Sequence, residues 1–171
     1  MQDIPWFGKR DLKREIAELE ADGAKGRALG AWADVAGRIK VNFAQLYYVH
    51  RNEQLTREIL DLMTRLEKVA QVRYSGGLAA QQDVIRAQLE LTAMQSELIE
   101  LDNQKRQLRS RLNGLLSRGA GEPLAEPKAL RPWPALTAFD AQALVQRARA
   151  GNPLLLAEGE RLRGAESKRE L

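Results

Sequence analysis

Residues 66–101 read LEKVAQVRYSGGLAAQQDVIRAQLELTAMQSELIEL, and this stretch decides the fold. After Gly76-Gly77 the apolar residues recur in alternating steps of three and four. They are Val84, Ala87, Leu91, Met94, Leu98 and Leu101, and beyond Lys105 the series resumes at Leu108, Leu112 and Leu115. That period marks one face of an α-helix, and its strict alternation marks a seam against another helix. Upstream the same rhythm runs through Val41, Gln45, Tyr48, Asn52, Leu55, Ile59, Leu62, Leu66, Val69 and Arg73. Folding the chain at the glycine pair sets 69 against 87, 66 against 91, 62 against 94, 59 against 98, 55 against 101 and 52 against 105. An antiparallel coiled coil requires such an unslipped register. The expected fold is all-α, a long antiparallel helical hairpin over 9–118 with its tip at 74–80. Lys105, the polar exception on the second stripe, falls opposite Asn52, and the two are expected to form a polar layer that fixes the alignment.

Composition agrees with long helices. Of 171 residues only 5% are aromatic and 29% are charged, the profile of coiled coils and not of a compact globule. The net charge is +4 and the pI about 9.6. Both signs are interspersed, as in Asp11-Leu12-Lys13-Arg14-Glu15, which reads as a solvated helix face in preference to a nucleic-acid patch. There is no cysteine, so a disulfide framework, a thiol nucleophile and a lipid-bearing Cys in this chain are excluded. No apolar run approaches the roughly 18–20 residues of a spanning helix. The start, MQDIPWFGKR, lacks the apolar core of a signal peptide. The expectation is a chain that is soluble as it stands.

Residues 1–8 are expected to be extended or turn-like, with Pro5 biasing Ile4 away from helix and Gly8 ending the Trp6-Phe7 segment. From Lys9 to Ser75 there is no proline. One helix on the order of 100 Å follows at about 1.5 Å per residue. Gly23, Gly26, Gly30, Ala33 and Gly37 continue the three-and-four rhythm with small residues. Each glycine costs a helix interior roughly 1 kcal/mol relative to Ala, so this is either a seam of close helix approach or a weak stretch. The returning helix can cover only residues 40–76. Leu12, Ile16, Leu19, Trp32 and Val35 must then pack on the C-terminal segment, on another copy, or on further chain.

Gly119 is expected to close the returning helix. Residues 119–138 form a linker with Pro123, Pro127, Pro132 and Pro134, while Leu130, Trp133 and Leu136 suggest that it lies against something. Within 139–171, Asp140 caps a short helix, Gly151-Asn152-Pro153 breaks it, and Pro153 opens a last helix. That helix carries no C-terminal capping signal and reads as cut through an element.

No constellation supports an enzyme, a cofactor or a metal. His50 is the single histidine, Met63 and Met94 are seam residues, and carboxylates such as Glu97 and Glu100 have no converging partner. Special residues converge only at the tip, Arg73-Tyr74-Ser75-Gly76-Gly77-Leu78 with Asp83 following. The glycines reverse the chain. Asp83 suits the first turn of the returning helix and Arg73 the last turn of the first, and the two can meet across the mouth. Tyr74 and Leu78 are expected to be exposed apolar groups, the look of a docking contact.

R-Y-x-x-G-L-x-x-x-x-D-V, followed by I-R-A-Q-L-E-L and then L-N-G-L-L, resembles the TolC-type outer-membrane efflux proteins, most closely their heavy-metal and cation (CusC/CzcC-like) branch. P-W-F-G-K-R-D-L at 5–12 resembles that family's junction of barrel strand and long helix, and Gly151-Asn152-Pro153-Leu154 the start of its second repeat. The resemblance implies a homotrimer with an outer-membrane β-barrel and a periplasmic α-barrel that forms a passive exit duct. It implies that hairpin tips meet a periplasmic adaptor protein and, through it, an inner-membrane pump. Arg73, Tyr74, Gly76, Gly77, Leu78 and Asp83 would then face the adaptor, and 119–150 would belong to the belt around the duct. Under this resemblance the chain looks like the helical portion of the first repeat alone, without strand pairs or a second hairpin. Two rival readings are a periplasmic adaptor's own coiled-coil hairpin, which needs flanking β-rich segments, and a nucleic-acid-binding coiled-coil arm, motivated only by the pI.

Overall fold

The computed structural model describes residues 8–132 and 140–170. The expectations placed on Pro5, Trp6, Phe7, Trp133 and Leu136 lie outside the described residues. Those residues are all-helical, with four helices and no strand: α1 (Lys9–Ser75), α2 (Gln81–Leu115), α3 (Ala141–Gly151) and α4 (Pro153–Glu170). The chain divides into two compact units, one of Met1–Gly37 with Pro132–Leu171, the other of Arg38–Arg131. No described helix is long and apolar enough to cross a membrane.

In the unit of Arg38–Arg131, α2 runs antiparallel to the second half of α1. Leu46 and Val49 of α1 pack with Leu101, Leu108 and Leu112 of α2, and Ile39 and Leu124 close the cluster. Every position of the predicted α2 seam, from Val84 to Leu115, is buried or half-buried. On α1 the inward face lies one residue later than the sequence suggested. Leu46, Val49, Glu53 and Thr56 are buried, and Leu60, Met63, Glu67 and Ala70 half-buried. Tyr48, Leu55 and Leu62 are 67%, 53% and 61% exposed. One residue is about 100° of helix rotation, so the more apolar stripe faces away from α2.

The polar layer moves with it. Lys105 does not meet Asn52; its Nζ lies 2.5 Å from Glu53 Oε2. The reason is electrostatic. An ammonium held at a seam needs a countercharge, which a carboxylate supplies and an amide does not. Arg57 donates to the other Glu53 oxygen at 2.6 Å, so both oxygens of the buried carboxylate are bonded. Burial pushes the Glu53 carboxyl up, but the Lys105 hydrogen bond and charge, with Arg57 and His50, outweigh it and hold it below the usual range.

Ser117, not Gly119, ends α2. It takes the left-handed conformation at φ 55°, with Arg118 N–H on Asn113 O at 2.8 Å and Ser117 N–H on Gly114 O at 3.1 Å. This is the paired closure of a Schellman motif. Gly119 instead donates its N–H to Glu122 Oε1 at 2.9 Å. That bond and Arg118 hold the Glu122 carboxyl below its ordinary value. The proline-rich segment then straps the base of the helix pair. Fully buried Asn113 donates to the carbonyls of Ala120 (3.3 Å) and Glu122 (2.8 Å), Pro127 is buried, and Glu126 pairs with Arg109 while lying 3.2 Å from His50 Nδ1. Leu130 stays exposed.

In the other unit, α4 lies antiparallel on the first part of α1. A Cβ on Gly26 would fall 2.8 Å from Ala157 Cβ, and one on Gly30 2.7 Å from Leu154 Cδ2. Gly164 meets Leu19, and Lys168 pairs with Glu20 at 2.6 Å. From Gly23 to Gly30 the small-residue stripe is thus a line of close approach to the C-terminal helix, whereas Gly37 has nothing within 4 Å. Asp140 caps α3 by accepting from Gln142 N–H at 3.0 Å, and Asn152 caps α4 through Leu154 N–H at 3.0 Å.

Candidate docking site at the turn between α1 and α2

The turn is built by its own backbone. Leu78 N–H reaches Arg73 O at 2.7 Å and Gly77 N–H reaches Tyr74 O at 2.9 Å, again the Schellman pair. Gly77 sits at φ 71°, where a side chain is strained, so its glycine is a backbone requirement. This closure places Leu78 just past the end of α1, where it is 73% exposed. Ala80 then opens α2 with no side-chain cap, and Asp83 occupies the first turn, near the unpaired N–H groups.

Beside the turn lies a groove of about 470 Å³ between the two helices. Its apolar floor includes Met63, Leu66, Val69 and Ala87, and Leu78 stands at its end. Arg73, Asp83, Arg86 and Glu90 supply two charges of each sign around it. Of the sequence-predicted residues, Arg73, Leu78 and Asp83 line this groove; Gly76 and Gly77 make the turn, and Tyr74 is exposed beside it without lining it. Arg73 and Asp83 share the groove but form no ion pair, which leaves both heads open to an incoming group. Such a site can take an apolar side chain and offer hydrogen bonds at its edge, as helix-in-groove recognition does. No group of three metal-ligating side chains occurs among the described residues.

Sequence reasoning missed Glu53, and with it the strap residues His50, Arg109, Asn113 and Glu126. Lys105 was the available signal, since a lysine in a seam demands an acid one turn or less away. No protein-family model, curated protein or solved structure matches the chain.

Proposed function

We propose that this chain is the helical part of a TolC-type outer-membrane efflux duct, and that the turn between α1 and α2 docks a periplasmic adaptor protein. In this reading the α1–α2 pair is a coiled-coil hairpin of the periplasmic α-barrel, a passive wall that performs no catalysis. The carrying observation is the groove: an apolar floor, an exposed Leu78 and unpaired Arg73 and Asp83 meet at one turn. The motif R-Y-x-x-G-L-x-x-x-x-D-V, whose resemblance suggested docking, contributes three of the groove's lining residues. The α2 seam, apolar but for Lys105, and the second apolar face of α1 also fit a helix that serves as wall material.

The test is charge reversal at the groove rim. Arg73→Glu and Asp83→Arg are expected to lower export at least about tenfold in cells whose efflux depends on this protein, the weight of one or two interface hot spots. Helix content by circular dichroism should not change. Undiminished export with both changes contradicts the docking role.

A further inference from the structure

His50 is the single histidine of the chain and sits against the strap that follows α2, with its side chain only 15% exposed. The amide nitrogen of Gln54 lies 3.1 Å from the ring Nε2 and donates to it, which leaves the proton of the neutral imidazole on Nδ1. Nδ1 is buried from solvent and faces Glu126 Oε2 at 3.2 Å, but without the geometry of a hydrogen bond. Arg109 takes the other oxygen, Oε1, so Oε2 is the one left to the ring. While the ring is neutral the two groups are close but bind weakly. A charge on the ring changes that, because attraction between charges needs proximity more than alignment. We propose that His50 is a proton-operated latch: an imidazolium there fastens residues 120–127 onto the helix pair, and the neutral ring lets them lift.

The surrounding groups set the sign. From the strap, Glu126 faces the ring; from α1, the Glu53 carboxylate lies close enough to feel the ring's charge. Cations are near as well, but each is engaged: Arg57 and Lys105 on Glu53, Arg109 on Glu126, and Arg51 on Gln54 Oε1 at 2.6 Å. Charging the ring therefore adds an ion pair at Glu126 Oε2. It also puts a proton on Nε2, so the Gln54 amide must turn its oxygen to the ring. The bond given up is the one from Arg51, which is exposed and is replaced by water. The gain is present where the ring is charged and is lost as pH rises, and histidine side chains change charge between about pH 5 and 8. The other anchors carry no titrating group: the Asn113 amide holds the carbonyls of Ala120 and Glu122, Leu124 packs on the core, and Pro127 is buried. They keep the strap in place, and the latch sets how often it lifts. His50 lies roughly 35 Å along α1 from the turn, at about 1.5 Å per residue, so the inference does not rest on the docking role.

The buried side-chain amide of Asn113 reports the opening, since its exchange with solvent requires the carbonyls of Ala120 and Glu122 to move off. Its hydrogen exchange in the 171-residue chain is followed by NMR between about pH 5.5 and 8, the range in which a histidine changes charge. Each rate is divided by that of a free asparagine amide at the same pH, which removes the intrinsic effect of pH. Protection should be about fivefold higher at the acid end, the scale of a partly screened ion pair. The change should follow the titration of the His50 ring signals, which belong to the chain's single histidine. His50→Gln and Glu126→Gln should each abolish the pH dependence with unchanged helix content. The slope with pH is the reading, so a variant whose strap is looser at every pH still decides. Protection that does not rise toward acid pH, a rise out of step with the His50 signals, or a rise that persists in either variant overturns the inference.

Discussion

Glu53 and Lys105 form a buried ion pair that joins α1 to α2, with side chains only 6% and 12% exposed. Pairs of this kind register an interface more than they stabilise it, but removing one partner strands a buried charge. Lys105→Leu is expected to cost about 2 kcal/mol, below the usual 3–5 for a buried pair because Arg57 still holds Glu53. Glu53→Leu with Lys105→Leu should return thermal stability to that of the parent or above. The pH dependence follows in sign. The folded Glu53 carboxyl titrates below its unfolded value, so its stabilisation is present above about pH 4.3 and is lost as pH falls through the depressed value. Between pH 7 and 3 the parent's melting temperature should fall more steeply than the double variant's, by circular dichroism. The α2 seam was readable because its apolar positions form a single face. On α1 two faces overlap, one apolar and one holding Glu53, and hydropathy alone selects the wrong one. The countercharge demanded by Lys105 selects the right one.

At the scale of elements, glycines that look alike in sequence have opposite roles. A Cβ on Gly26 would meet Ala157 Cβ at 2.8 Å and Pro153 O at 2.9 Å, whereas one on Gly37 has nothing within 4 Å. Gly37→Ala should therefore stabilise by about 1 kcal/mol through helix propensity. Gly26→Ala gains the same propensity but must push α4 away. Overpacking of this kind costs about 1–3 kcal/mol, so its melting temperature should fall or hold while that of Gly37→Ala rises. The stripe itself was legible as small residues at helical spacing. Its partner was not, because period shows which face of a helix approaches something but not which distant segment arrives. Local chemistry was legible where it is self-contained: the Asp140 cap, the Asn152 break and the Gly76-Gly77 reversal all stand where turn rules put them. The end of α2 was not, because Ser117 accepts a left-handed conformation that the rules assign to glycine. Nor was the strap, whose anchors Asn113 and Glu126 act through residues far apart in the sequence.

For the molecule as a whole, the all-helical architecture and the reversal at the glycine pair follow from period and turn chemistry alone. The proposed docking role rests on the groove beside that reversal, which Arg73, Leu78 and Asp83 line. A bare turn needs only Gly77 and backbone hydrogen bonds; it does not need Leu78 exposed or two rim charges unpaired. Leu78 and Ile99 are similarly exposed, at 73% and 64%, but only Leu78 lines the groove. The most direct measurement places a photo-reactive residue at either position in living cells and identifies the cross-linked product by mass. The account predicts an adaptor protein of the efflux class captured from Leu78 and not from Ile99. No product from Leu78, or the same product from both positions, would contradict it.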